Sequence, residues 1–301
     1  MTIMLRQYVS LFIITSLICL FFFLENVVCE PLANNETRQI TTTYKSHASD
    51  RRTDHDIILA IHGFNARPDT LEPFIKELNL RGFDVVGLNL YGHKKEESLN
   101  QAGLSDIWLS DIKAAYQEIE TEFPGSEISV LGYSLGAALA VYFLEKEPDV
   151  QFSKMFFLAP AFVICDRAMF VRMLLPLKYF GVSLPSIAPR EYRAHRFTPL
   201  RAYSGLFKIV DEISSLKNND KNNEKLNEIP TKMVFVEGDE LIDFPKTRKW
   251  LARNKLSSWQ TELIEAQSVS NLNYKHLIFE KKNIESSAWD KLIARMVEFL
   301  S

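Results

Sequence analysis

The chain has 301 residues, 47% of them apolar and 24% charged, with a formal net charge of −3. This balance excludes a disordered chain and gives no general attraction to nucleic acid. Eleven glycines, twelve prolines and three cysteines exclude collagen-like, low-complexity and disulfide-dense classes.

The first element is an apolar run from Tyr8 to Leu24, with Arg6 the only charge before it. A short basic region, an apolar stretch and a break at Glu25 read as a signal peptide over residues 1–29, cleaved after Cys29. The alternative is an uncleaved N-terminal membrane anchor, because a run of 17 residues reaches the short end of a membrane span. Cleavage is the first reading. Both place the remainder outside the cytosol, periplasmic or secreted in one case and membrane-anchored in the other. Removal of residues 1–29 takes Cys19 and Cys29 with it and leaves Cys165 alone. Residues 30–55 are polar and read as a flexible segment or one weak edge strand.

From Asp56 the pattern becomes periodic. Apolar runs at Ile57–Ile61, Phe83–Leu90, Ile128–Leu131 and Met155–Leu158 suit strands buried on both faces. Between them, residues 70–80, 104–122 and 135–146 have helical spacing. The alternation stops at Pro160. It resumes with a strand at Met233–Val236, a helix near 245–254, a strand near 260–265 and a helix from Ser287 to Leu300. Strands alternating with helices predict an α/β fold with a mostly parallel central sheet and helices on both faces. Residues 56–160 and 230–301 form this core. Residues 161–229 are an insertion, expected to hold short helices and turns because six of the twelve prolines lie within 160–230. Residues 216–228 are strongly polar and read as an exposed mobile loop.

The third strand runs into Gly132-Tyr133-Ser134-Leu135-Gly136, with a helix directly after it. G-x-S-x-G between strand and helix is the nucleophile-elbow pattern, in which a tight turn lifts the serine hydroxyl clear of the sheet. A serine needs a base. Of the six histidines only His195 and His276 follow Ser134, and His276 lies between the last strand and the last helix, where a base reaches the carboxyl end of the sheet. The acid that orients it is expected after Val236-Glu237, where Asp239, Glu240 and Asp243 stand. Asp239 follows Gly238 at the strand end and is the first choice. Asp243 is the second, although its place before Phe244-Pro245 also suits a helix cap. The oxyanion donors are then the backbone N–H of Leu135, after the nucleophile, and that of Phe64, in the loop after the first buried strand. His62 precedes Ser134 and is read as a loop-organising residue. This chemistry needs no metal and no organic cofactor.

These stretches resemble the α/β-hydrolase superfamily of serine hydrolases, and within it the monoacylglycerol lipase, lysophospholipase and carboxylesterase group. The matching residues are Ala60–Phe64, Leu90–His93, Trp108 with Asp111, Leu131–Gly136, Leu158–Pro160, Gly238–Ile242 and His276. Ala137 after the elbow, Lys94 after Gly92-His93 and the acid directly after its glycine depart from the group's pattern. The resemblance implies that 161–229 is a cap over the active site. It also implies hydrolysis of carboxylic esters, with a small-molecule or lipid-like substrate such as a monoacylglycerol or lysophospholipid. A thioesterase, a peptidase, or a catalytically silent binding protein of the same fold are the alternatives. Residues 161–210 carry eight Lys or Arg against two acids, so membrane association is expected through residues 8–24 or through this basic, apolar cap.

Overall fold

The computed structural model describes residues 28–29, 42–46, 56–216, 220–268, 274–278 and 281–301. The apolar run at 8–24 lies outside the described residues. Among the described residues no helix is long and apolar enough to cross a membrane.

Two strands precede the periodic region, β1 (Val28–Cys29) and β2 (Thr42–Ser46). The core strands are β3 (Ile57–Ile61), β4 (Asp84–Asn89), β5 (Ile128–Tyr133), β6 (Met155–Leu158), β9 (Thr231–Val236) and β10 (Gln260–Ile264). With β2 they form a seven-stranded sheet in the order β10-β9-β6-β5-β3-β4-β2, parallel except for β2. At 42–46 the edge-strand alternative for residues 30–55 is the one observed. The Thr42-Thr43-Tyr44 run has strand-forming residue types and pairs antiparallel along the otherwise open edge of β4.

Helices α1 (Glu72–Asn79), α2 (Leu104–Glu122) and α3 (Leu135–Lys146) link successive core strands. The chain moves one way from β3 to β4 and back past β3 to β5. Right-handed crossovers therefore put α1 on one face and α2 and α3 on the other. The connections that leave adjacent strands β3 and β5 run in opposite directions and open a crevice at their carboxyl ends. Every residue of β3, β5 and β6 is buried, as their continuous apolar runs require.

Between β6 and β9 come short helices at Asp166–Met169 and Val171–Leu174, a 3-10 turn at Leu175–Phe180, then β7 (Val182–Pro185) and β8 (Phe197–Pro199). β1, β7 and β8 make a small antiparallel sheet. The expectation of short elements fails at α4 (Leu200–Ser214), a 15-residue helix. The prolines cluster before it, and Pro199 stands at its N-cap instead of breaking it. Its apolar face packs on α2 and α3. Gly205 lets it approach α2, since a Cβ there would lie 3.0 Å from the Leu104 Cβ.

The loop reading of 216–228 is corrected as well, because α5 (Asp220–Glu228) is helical. Leu226 is buried, and its carbonyl accepts a hydrogen bond from Trp259 Nε1 at 2.9 Å. One well-placed leucine among lysines and asparagines is too weak a periodic signal to read from sequence. Helices α6 (Phe244–Arg253) and α7 (Ser286–Leu300) complete the chain. α7 packs on α1 through Phe74 and Trp289, whose rings lie 5.0 Å apart.

Candidate active site

β5 ends at Tyr133 and α3 begins at Leu135, so one residue makes the whole turn. That residue is Ser134, at φ 51 and ψ −109. A positive φ at a non-glycine residue is costly and persists only where the surroundings impose it. Here close approach imposes it. A Cβ on Gly132 would lie 2.8 Å from the Ala137 Cα, and one on Gly136 only 2.1 Å from the Ile61 carbonyl oxygen. Helix α3 thus lies against both its own strand and β3, and Ala137 is small enough to take the place of a further glycine. Leu135 opens α3, so its N–H is among the first-turn donors without an intrahelical acceptor.

The loop after β3 lies against the elbow. A Cβ on Gly63 would meet the Tyr133 ring at 2.8 Å. His62 is fully buried. Its Nδ1–H donates to the Gly63 carbonyl at 3.0 Å, and its Nε2 accepts from the Leu90 amide at 3.2 Å. His93 Nε2 accepts from the Asn65 amide at 3.1 Å, and its Nδ1–H points at the carbonyls of Leu90 and Tyr91. The two rings meet edge-on at 4.7 Å. Burial holds both neutral, with the pKa of His62 pushed down to about 4 and that of His93 well below its usual value. Trp108 and Asp111 brace the loop after β4 that carries His93, through Trp108 Nε1–H to the Tyr91 carbonyl at 3.0 Å and the Tyr91 amide to Asp111 Oδ2 at 2.8 Å.

On the other side of Ser134, His276 Nδ1–H donates to Asp239 Oδ2 at 2.8 Å, with both side chains nearly fully buried. Asp239 Oδ1 accepts from the Leu241 and Ile242 amides at 2.8 and 3.0 Å, so the carboxylate cannot rotate. Asp243 is elsewhere. It caps α6, accepting from the Lys246 amide at 2.8 Å and pairing with the Lys246 ammonium. His195 also lies apart, with Nε2–H donating to the Gly92 carbonyl at 2.6 Å.

Three further residues hold His276 in place and were not singled out for this from sequence. Glu240 accepts the Lys275 and His276 amides at 3.0 and 3.3 Å. The Tyr133 hydroxyl donates to the His276 carbonyl at 3.1 Å. The Tyr274 ring meets the imidazole edge-on at 6.3 Å. Burial raises both tyrosine pKa values far above the ordinary phenol, with Asp239 and Glu240 adding to the shift. Only the adjacency of Glu240 to Asp239 and of Tyr274 to His276 hinted at these roles.

Ser134 and His276 face one cavity of about 490 Å³. Its walls are mostly apolar, from Phe64 and Ile242 in the core through Ile164, Val171, Leu184, Leu206 and Phe207 in the 161–229 insertion. Among the described residues, the charged side chains on its wall are Arg167 and Glu240. The arrangement supplies a hydroxyl on a strained turn, an imidazole with one fixed tautomer, two backbone N–H groups and an apolar chamber. Among the described residues no group of three His, Cys, Asp or Glu side chains is placed to hold a metal ion.

The comparisons with known proteins agree with this architecture. A monoglyceride lipase of Saccharomyces cerevisiae, solved as a soluble variant with a substrate analogue, superimposes with TM-score 0.68 at 12% identity, over 91% of this chain and 96% of that one. A carboxyl esterase of Bacillus coagulans gives 0.66 at 11% identity, over 91% and 99%. A monoacylglycerol lipase of Paleococcus ferrophilus gives 0.64 at 15%, over 86% and 98%. At these identities the likeness is one of fold. No curated protein sequence matches the chain. The family model described as serine aminopeptidase, S33, matches residues 53–268, across the core strands, the elbow and the Asp239 loop. The chain therefore has the α/β-hydrolase fold and belongs to the S33 serine aminopeptidase family of hydrolases.

Proposed function

We propose that this protein hydrolyses carboxylic esters with an apolar acyl group, using Ser134, His276 and Asp239. The observation that carries the reading is the apolar chamber beside Ser134. An aminopeptidase must hold a substrate ammonium. Among the described residues the chamber wall carries one carboxylate, Glu240, and it already accepts two backbone amides. This favours an ester over a peptide despite the family's description, and the lipase and esterase neighbours support the same choice.

In this mechanism His276 Nε2 takes the proton of Ser134 as its Oγ adds to the carbonyl carbon. Asp239 holds the imidazole in the required tautomer and stabilises the imidazolium. The Phe64 and Leu135 amides receive the oxyanion. The imidazolium protonates the leaving alcohol, and water activated by the same base releases the acyl group.

Membrane association and export belong to the same proposal. Phe170, Met173, Leu177, Tyr179, Phe180 and Ile187 are exposed within one short stretch, and Ile187 also lines the chamber. Such a surface suits a lipid bilayer, with the chamber opening toward it. Val28 and Cys29 pair with Ser183 and Val182 beside this patch, which supports a retained N-terminal anchor over cleavage after Cys29.

The deciding experiment is fluorophosphonate labelling of the wild type and Ser134→Ala, followed by a panel of esters, thioesters and aminoacyl anilides. Labelling lost in the variant, with medium-chain esters the preferred substrates, is expected. Full ester hydrolysis by Ser134→Ala overturns the mechanism, anilides as preferred substrates overturn the ester assignment, and absent labelling favours a binding protein. Intact mass of the exported protein decides the leader, since a mass that starts at Met1 supports the anchor.

A further inference from the structure

The Leu135 amide is fixed by helix α3, but the Phe64 amide stands on a loop and needs other restraints. Its peptide plane is set from the core. The Gly63 carbonyl accepts from His62 Nδ1 and from the Ala66 amide at 3.0 and 3.2 Å, and in a trans peptide the Phe64 N–H points the opposite way. The next residue is held from the 161–229 insertion. Asn65 is 4% exposed and lies at φ 48, a conformation that asparagine tolerates better than most residues. Its Nδ2 donates to the His195 carbonyl at 3.0 Å and to Thr198 Oγ1 at 2.8 Å. Its Oδ1 accepts from the His195 amide at 2.9 Å, and its carbonyl accepts from the Ala194 amide at 2.9 Å. The partners lie about 130 residues further along the chain, so this is a tertiary clamp. It continues on both sides. Arg67 N donates to the Tyr192 carbonyl at 2.8 Å, and His195 Nε2–H reaches the Gly92 carbonyl. The Tyr203 ring, in helix α4 directly after this segment, lies 5.0 Å from that of Phe64.

We propose that Asn65 is a positioning residue through which residues 192–198 fix the Phe64 amide at the oxyanion site, making that segment part of the catalytic scaffold and not of a movable lid. Every polar atom of the Asn65 side chain is spent on this one segment. A residue that merely filled space there would need no amide, and a cap that lifted as a unit would leave these groups buried and unpaired. Among the described residues, the remaining cap elements, 166–187, carry no comparable hydrogen-bonded tie to the oxyanion loop.

The inference rests on the ester-hydrolase reading, and its test separates the two. The probes are a medium-chain trifluoromethyl ketone and a non-reactive ether of equal length. Ser134 Oγ adds to the ketone carbon, its proton passes to His276, and the carbonyl electron pair becomes the oxyanion held by Phe64 and Leu135. The ether makes no oxyanion. Asn65→Ala is expected to lower kcat and ketone affinity by about 10²-fold, the scale of a misplaced donor, and to leave ether affinity within about twofold. Thr198→Val, nearly isosteric and without the backbone strain of alanine at φ 48, is expected to give the same selective loss at about tenfold. Thr198→Ser restores it. Equal loss of ketone and ether binding, a raised KM at unchanged kcat, or a lowered melting temperature with normal kinetics overturns the proposal. A wild type that forms no ketone adduct overturns the ester-hydrolase reading and this one with it.

Discussion

Asp239→Asn tests the site most sharply. The Asp239 carboxylate has three donors in fixed directions, the Leu241 and Ile242 amides on Oδ1 and His276 Nδ1–H on Oδ2. An asparagine keeps its single carbonyl oxygen on the two backbone amides, because turning it round would set its NH₂ against both of them. Its NH₂ then faces Nδ1. Two donors cannot pair, so the imidazole proton moves to Nε2, the nitrogen that must accept from Ser134. The geometry is intact and the tautomer is wrong. The expected loss is about 10⁴ in kcat, about 5 kcal/mol of transition-state stabilisation. Asp243→Asn is the matched control. Asparagine caps a helix as well as aspartate does, so kcat stays within about threefold. The assay is steady-state hydrolysis of a medium-chain ester, with melting temperatures to confirm folding. A folded Asp239→Asn that keeps more than about a tenth of wild-type kcat refutes the reasoning, as does a comparable loss in Asp243→Asn.

Three further outcomes follow from the packing. Between pH 6.5 and about 4 the unfolded chain protonates His62 while the fold keeps it neutral, so stability is full above 6.5 and falls with pH across this window. The loss is about 3 kcal/mol by pH 4, and urea melts should show a shallower pH slope in His62→Asn than in the wild type, an equal slope refuting the assignment. Gly136→Ala puts a Cβ 2.1 Å from the Ile61 carbonyl oxygen and should cost at least about 3 kcal/mol or abolish soluble expression. Gly125→Ala, with open space but φ +82, should cost only about 1 kcal/mol in the same denaturation assay. Val171→Trp narrows the chamber, so kcat/KM for long-chain esters should fall about tenfold while that for butyrate is kept, and an equal fall for both would place the acyl chain elsewhere.

Where one local rule sufficed, the sequence and the fold agree closely. Leu104–Glu122 and Leu135–Lys146 form helices over the residues that their periodicity marks, because each buries a continuous apolar face. The G-x-S-x-G turn needed only its two glycines and the flanking elements. The misreadings fall where local and tertiary preferences diverge. α4 follows a cluster of prolines, and α5 has a composition that favours solvent, yet each is held by apolar residues whose partners are distant in sequence. Asp239 and Asp243 are only four residues apart, and nothing local distinguishes an imidazole partner from a helix cap.

The amino-acid sequence alone determined the strand–helix alternation, the elbow at Ser134 and the chain order of serine, acid and histidine, because these depend on periodicity and steric need within short windows. Only the tertiary structure decided which acid meets His276, that Glu240 and Tyr133 hold its loop, and that Asn65 is gripped from the insertion. Those are relations between segments far apart in the chain, fixed by the switch point between β3 and β5 and by the need to pair every buried polar group.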